Sequence, residues 1–158
     1  MNLRPLCLAL FAAVLSLPAT AARLACPDLA SAVQVNACPT DEELKFTYNG
    51  YCSDNAKAYA KETDSCVRYE DYRRMKNVAR WESKDGEFDA YVSCDLPADK
   101  FRALKATGMK VVQQGKLTKL VCSYPGGISF SFRTKGACMV ADDQACIADA
   151  ANCMAACD

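Results

Sequence analysis

The second half of the chain alternates apolar and polar residues with a period of two, which is typical of strands with one buried face. Two such runs, 78–83 and 87–94, flank Asp85-Gly86, a dipeptide that favours a hairpin turn. Further strand-like runs cover 109–114, 117–124, 128–133 and 137–140, with a turn predicted at Pro125-Gly126-Gly127. The pattern predicts an antiparallel sheet of about five strands.

Helical spacing replaces the alternation in the first half. Thr40 and Glu43 form a T-x-x-E capping box, which marks a helix start, and Asn49-Gly50 is expected to interrupt the chain after it. Other helices are predicted over 27–35, from Ser53 through Ala60, over 97–107, and through Tyr72, Met75 and Ala79, which fall on one side with Val78 beside them.

The N-terminus has the pattern of a secretory leader. Arg4 precedes an apolar run over 6–17, Pro18 interrupts the run, and the small residues at 19 and 21 form a cleavage signal. The run is shorter than the roughly 20 apolar residues of a membrane span. We therefore predict a signal peptide over 1–21 and a periplasmic or secreted protein with no membrane span after cleavage. About 136 residues would remain, a length typical of one domain, over 22–158.

Cysteine use agrees with export. The chain has 11 cysteines and no histidine, and Cys7 lies inside the leader. An even number in a small exported chain indicates a disulfide framework, whereas zinc sites usually combine closely spaced cysteine pairs with histidine. The sequence predicts four or five disulfides and no metal. The ten cysteines concerned are Cys26, Cys38, Cys52, Cys66, Cys94, Cys122, Cys138, Cys146, Cys153 and Cys157.

The last three cysteines suggest a more specific arrangement. Cys146, Cys153 and Cys157 are spaced i, i+7 and i+11, which would place them on one stripe of a helix capped by Asp142. Their expected partners are the cysteines of the strand-like runs, Cys94, Cys122 and Cys138. The predicted fold class is therefore α+β: a helical N-terminal part, an antiparallel sheet and a C-terminal helix linked to the sheet by disulfides. Cys52 and Cys66 are expected to tie the short helices to each other or to the N-terminal arm.

The lack of histidine excludes several kinds of catalytic site. No Ser-His-Asp triad, Cys-His pair or histidine general base can be built. Carboxylates remain, clustered around the hairpin at Glu82, Asp85, Glu87 and Asp89. Glu87 and Asp89 would share a strand face at a spacing compatible with glycoside hydrolysis, but alternating acids are common on a solvated hairpin. We predict no catalytic residue and no cofactor.

Charge is balanced over the whole chain but separated along it. Between 97 and 135 the chain carries eight basic residues against Asp99 alone, whereas 141–158 carries only acidic charges. A basic face would attract an acidic protein partner. Overall neutrality, with Trp81 lying outside the basic stretch, argues against a nucleic-acid partner.

These features favour a non-enzymatic binding protein that blocks or neutralises another exported protein, as an inhibitor or immunity-type protein does. The alternatives are a secreted effector or toxin, a structural component of an envelope assembly, and a carboxylate enzyme. Partner contacts are expected from aromatic and basic residues exposed near turns: Trp81, Tyr91, Lys116, Lys119 and Tyr124.

Overall fold

A computed structural model describes residues 21–53, 65–140, 146 and 150–158. The predicted leader as far as residue 20, the helix predicted from Ser53 through Ala60 beyond Ser53 itself, and the helix start predicted at Asp142 lie outside these residues. The described helices are α1 (Asp41–Cys52), α2 (Tyr69–Lys76) and α3 (Ala98–Arg102). The strands are β1 (Ala22–Ala25), β2 (Val33–Gln34), β3 (Val78–Glu82), β4 (Asp89–Ser93), β5 (Gly108–Gln114), β6 (Leu117–Ser123), β7 (Ser129–Thr134), β8 (Cys138–Val140) and β9 (Met154–Cys157).

The larger of two antiparallel sheets contains six strands in the order β2-β3-β4-β7-β6-β5. The predicted hairpin forms as expected, with Trp81 of β3 opposite Ala90 of β4, and β6 and β7 are joined by a 3-10 turn at Pro125–Gly127. One face of this sheet forms the main core. Its buried apolar residues include Ala79, Trp81, Ala90, Val92, Leu120, Cys122 and Phe130.

Two fully buried side chains from outside the sheet cover that face. Phe101 of α3 lies 4.5 Å from the Trp81 ring and 6.1 Å from the Phe130 ring, measured between centroids. Leu29 comes from a 3-10 turn, Leu29–Ser31, whose N-cap is the Asp28 carboxylate. The burial of these apolar surfaces at about 25 cal/mol per Å² is the main favourable contribution to folding here.

The smaller sheet contains three strands in the order β1-β9-β8. Its central strand β9 pairs Leu24 of β1 with Ala155, and Cys138 of β8 with Cys157. Leu24, Ala155, Cys138 and Cys157 are buried and belong to the main core, so the small sheet packs against the rest of the domain.

Helices α1 and α2 pack against each other through a group of tyrosines. The capping box is confirmed: Thr40 accepts from the Glu43 backbone N–H at 3.2 Å, and the Glu43 carboxylate accepts from the Thr40 N–H at 2.7 Å. The Tyr48 ring lies 5.5 Å from the Tyr69 ring and 5.3 Å from the Tyr72 ring. These edge-on contacts are a favoured geometry for aromatic pairs.

All ten predicted cysteines form disulfides. The pairs are Cys26–Cys122, Cys38–Cys94, Cys52–Cys66, Cys138–Cys157 and Cys146–Cys153. The expectation that Cys52 and Cys66 tie the short helices together is confirmed, since their bond joins the end of α1 to the chain that precedes α2. The multiple disulfides suit a protein of an oxidising compartment, either extracellular or periplasmic.

The predicted C-terminal helix is wrong from residue 150 onward, and of its three cysteines only Cys146 is helical. Residues 150–152 form a 3-10 turn and 154–157 form the strand β9. In β9 burial alternates, with Ala155 and Cys157 facing the core, so a period of two replaces the expected helical stripe. Pairing on both edges outweighs the helix propensity of the alanines, because intrinsic propensity is a weak preference. Of the expected helix-to-strand disulfides only Cys138–Cys157 forms, and it joins two strands.

Five smaller predictions also need correction. The sheet of about five strands is two sheets, of six and three strands. Helix α1 continues through Asn49-Gly50 to Cys52, and α2 ends at Lys76, so Val78 and Ala79 belong to β3. The helix predicted over 97–107 ends at Arg102. The helix predicted over 27–35 is a single 3-10 turn, because β2 begins at Val33 and pairs with β3.

Candidate protein-binding surface

The six-stranded sheet has a second face, turned away from the core, which we call the outer face. The strand register fixes its members, since residues directly opposite each other on paired strands lie on the same side. Its residues are exposed or partly exposed except for the short side chains of Val121 and Ser131. The outer face comprises Arg80, Glu82, Asp89, Tyr91, Lys110, Val112, Lys119, Val121, Ser131 and Arg133, with further residues at the strand ends.

Glu82 and Asp89, the acidic residues of the outer face, each form an ion pair with arginine. The Arg80 guanidinium lies 2.8 Å from the Glu82 carboxylate and 3.4 Å from that of Asp89. Arg133 of β7 makes a second ion pair with Asp89, so the Asp89 carboxylate lies between two arginines on different strands. Asp89 is only 17% exposed, which limits the screening of these pairs by solvent.

The lysines of the same face have no such partners. Among the described residues no carboxylate lies within 4 Å of Lys110, Lys119 or, at the tip of the β5–β6 hairpin, Lys116. The outer face thus keeps its acidic charge neutralised and its lysine charge uncompensated. This arrangement is electrostatically complementary to an acidic protein surface.

Among the aromatic residues predicted to contact a partner, Tyr91 is the most exposed, with 68% of its surface accessible. It occupies β4 directly opposite Arg80 of β3. Tyr91 and Lys119, two of the predicted contact residues, therefore lie on the same face of the sheet, and Lys116 lies on the hairpin that extends that sheet. Large amphipathic side chains such as tyrosine are enriched at the energetic centres of interfaces.

The expected exposure of Trp81 and Tyr124 is wrong. Trp81 is 6% exposed, and its indole packs on Phe101 with the Arg102 guanidinium 5.3 Å from the ring. Tyr124 is 3% exposed, and its hydroxyl donates to the Pro27 carbonyl at 2.6 Å. Burial raises the pKa of Tyr124. Both residues alternate onto the core side of the sheet, so they pack the core and cannot contact a partner directly.

A pocket of about 420 Å³ opens beside Tyr91. It lies between the end of β4 and the turn that joins β6 to β7. Half-buried apolar side chains of Leu96, Leu104 and Ile128 contribute to its lining.

The carboxylates of the β3–β4 hairpin have structural contacts. Asp85 closes the turn by accepting from the Ser83 hydroxyl and, at 3.1 Å, from the Glu87 backbone N–H. The Ser83 hydrogen bond, and next the Glu87 one, hold the pKa of Asp85 below its usual value. Glu82 and Asp89 are bound to arginine as above, and Glu87 is exposed just before β4.

The described part of the chain contains neither a metal-binding cluster nor a membrane-spanning helix. Within the described ranges, no group of three or more cysteine or acidic side chains has the geometry to hold a metal ion. The same part of the chain contains no helix long and apolar enough to span a membrane. No protein-family model, curated protein or solved structure matches this chain.

Proposed function

We propose that this protein is an exported, disulfide-stabilised, non-enzymatic binding protein that neutralises another exported protein, in the manner of an inhibitor or immunity protein. Its interface would be the outer face of the six-stranded sheet. The observation that carries the proposal is the charge pattern of that face, where both acids are paired with arginine and the lysines are unpaired within the described chain.

The chemistry of the face indicates the class of partner. Lys110 and Lys119 lie on neighbouring strands, with Val112 directly opposite Lys119. A partner with exposed carboxylates would gain attraction to both lysines without displacing an existing ion pair. Charge pairs at the rim of an interface mainly raise the association rate, and this rate falls as salt is added.

Rigidity supports the same use. The face belongs to a sheet whose strands β4 and β6 are each fixed by a disulfide next to or within them, Cys38–Cys94 and Cys26–Cys122. A surface held in its bound shape loses little conformational entropy on association. A small protein can therefore bind tightly through a preformed face of standard size, roughly 800 Å² per partner.

The test uses the oxidised protein as bait in an extract of its own envelope and growth medium. The Lys110→Glu/Lys119→Glu variant should bind the captured partner at least tenfold more weakly than wild type, mainly through a slower association rate. The matched control, Lys45→Glu/Lys100→Glu, makes the same charge change on α1 and α3 and should bind within twofold of wild type. Adding wild-type protein to the purified partner should abolish that partner's enzymatic or toxic activity at a 1:1 ratio.

Three results would contradict the proposal. Equal binding by both double variants would show that the outer face is not the interface. A partner that keeps full activity when saturated would instead favour a structural role in an envelope assembly. Harm to cells by the purified protein alone would favour an effector or toxin.

A further inference from the structure

The six-stranded sheet is interrupted at its centre. Strands β3 and β4 share five residue pairs and β6 and β7 share six, but β4 and β7 share only one, between Asp89 and Ser131. Beyond this pair, towards Tyr91 and Ser93, the two strands separate. The pocket beside Tyr91 lies in the resulting opening, and it is lined on one side by the end of β4 and on the other by the turn at 125–127 and Ile128, which precedes β7.

Every second residue of β4 directs its backbone N–H and C=O groups towards this opening. The Phe88 carbonyl accepts from the Ser83 N–H and the Cys94 N–H donates to the Asn77 carbonyl, both at 2.9 Å. The even-numbered residues of β4 therefore direct their backbone hydrogen bonds to β3. In an antiparallel sheet the intervening residues direct their N–H and C=O groups to the other side. Tyr91 therefore presents its backbone groups to the opening, where the ladder with β7 has no residue pair.

The sides of the opening are apolar. Leu96 and Leu104 come from either side of α3, and Ile128 follows the turn after β6. Gly126 and Gly127 of that turn have φ of 76° and 77°, which favours glycine, and a Cβ built on either would meet no atom within 4 Å. The turn thus leaves the opening accessible from the side.

We propose that this opening binds an extended segment of the partner protein in which apolar and acidic residues alternate. The segment would pair its backbone with Tyr91 and place an apolar side chain among Leu96, Leu104 and Ile128. Its acidic side chains, on the opposite side of the strand, would lie on the outer-face side of the sheet, the side that carries the unpaired lysines. Strand addition of this kind obtains affinity from main-chain hydrogen bonds and specificity from side-chain pockets. The inference rests on the proposed function, since it specifies the part of the partner that binds.

The probe is a synthetic heptapeptide, acetyl-Glu-Val-Glu-Leu-Glu-Val-Glu-amide, titrated into ¹⁵N-labelled protein with its disulfides intact. We expect saturable shifts of the Tyr91 and Ser93 amide signals, and hydrogen exchange of the Tyr91 amide slowed at least tenfold at saturation. Two control peptides carry N-methyl groups on the glutamates or on the apolar residues. At least one should bind tenfold more weakly, because methylation of the paired edge removes its N–H donors.

Protein variants test the pocket separately from the backbone. Ile128→Ala should weaken binding of the parent peptide at least fivefold. The control Val67→Ala, which removes an exposed aliphatic side chain just before α2 that does not line the pocket, should change binding less than twofold. Their NMR spectra report whether each variant is folded before it is titrated. Equal binding of all three peptides, no shift at Tyr91, or wild-type affinity of Ile128→Ala would each overturn the inference.

The failure of this inference differs from the failure of the proposed function. If the lysine reversal weakens partner binding but the methylated peptides bind as the parent does, the outer face is the interface and the opening is not its strand-binding site. If the peptides discriminate but the lysine reversal leaves the natural partner's binding unchanged, the proposed interface is wrong.

Discussion

Gly136, between β7 and β8, lies against the backbone of Asp158. A Cβ placed at Gly136 would lie 2.8 Å from the Asp158 carbonyl carbon and 3.1 Å from its Cβ, and closer still to the Asp158 carbonyl oxygen. No strained φ requires glycine at this position, so the constraint is steric. We predict that Gly136→Ala displaces the end of the chain from its place beside the small sheet.

The size of the effect follows from the hydrogen bonds that hold that backbone. The Asp158 N–H donates to the Ala137 carbonyl at 2.9 Å, and the Thr134 hydroxyl donates to the Asp158 carbonyl at 3.1 Å. Their loss would cost about 2 kcal/mol, at about 1 kcal/mol net for each bond. Replacing glycine by alanine also restricts the unfolded chain, which stabilises the folded protein by about 0.4–1 kcal/mol and offsets part of this loss. Gly136→Ala should therefore lower the free energy of unfolding by about 1–1.5 kcal/mol.

Urea unfolding of the oxidised protein measures this change, and hydrogen exchange at Ala155 shows whether the small sheet is affected. The control is truncation after Cys157, which removes the obstructing Asp158. In that background Gly136→Ala should be neutral or stabilising by up to about 1 kcal/mol. An equal loss of stability in both backgrounds would refute the steric argument.

Three further changes test the fold. Phe101→Ala should cost about 3–5 kcal/mol in urea unfolding because it empties a fully buried site, with Phe101→Leu losing less; a cost below about 1 kcal/mol would contradict the assigned core. Thr40→Ala should cost about 1 kcal/mol by the same measurement, and Thr40→Ser should restore most of it; equal losses would contradict the capping box with Glu43. The pKa of Asp95 is held below its usual 3.8, chiefly by the Arg73 hydrogen bond. The contribution of Asp95 to stability is thus present above pH 3.8 and is lost as the pH falls through its lowered pKa. Asp95→Asn should flatten the dependence of the free energy of unfolding on pH below 3.8, and an unchanged slope would contradict the assigned role of Asp95.

Much of the sheet could be predicted from the sequence because its pattern depends on local alternation. Each of the runs at 78–83, 87–94 and 128–133 contains one apolar face, and each forms a strand close to its predicted bounds. A half-buried strand must alternate regardless of its neighbours, so the signal is present in the strand itself. The turn at Asp85-Gly86 is similarly local, since Gly86 adopts φ of 77°.

The C-terminal segment could not be predicted in this way. Its alanines favour a helix, and the period-two burial of Ala155 and Cys157 becomes visible only when β1, more than 100 residues earlier, pairs with β9. The same limit applies to the disulfides, because the separation of 96 residues between Cys26 and Cys122 leaves no local signal.

The candidate surface shows the same division between local and distant information. The outward position of Tyr91 follows from alternation within β4, and Lys116 lies between the predicted strand-like runs 109–114 and 117–124. Exposure of Trp81 and Tyr124 was predicted from their proximity to turns, but their parity in the strand places them on the core side. The opening between β4 and β7 could not be foreseen, because the number of residue pairs between two strands distant in sequence depends on the whole sheet.

The disulfides form two nested sets, and this arrangement bears on the proposed strand-binding site. Cys26–Cys122 encloses Cys38–Cys94, which encloses Cys52–Cys66, and Cys138–Cys157 encloses Cys146–Cys153. Nesting shortens the loop that each outer bond closes. With Cys38–Cys94 intact, the outer bond of the first set closes about 40 residues (12 from 26 to 38 and 28 from 94 to 122) instead of 96, which lowers its entropic contribution from about 4.7 to about 3.9 kcal/mol.

Stability alone would therefore be served better by loops that do not enclose one another. The nested pattern does anchor both sides of the opening, since Cys94 directly follows β4 and Cys122 lies in β6 just before the turn at Pro125–Gly127. With β4 and β6 each held by a covalent bond, the end of β4 and the turn after β6 are fixed before a partner arrives, so less conformational entropy is lost on binding. Replacing Cys38 and Cys94 by serine should thus weaken binding of the heptapeptide more than replacing Cys52 and Cys66, whose bond lies away from the opening. Equal losses of affinity in the folded variants would contradict this role.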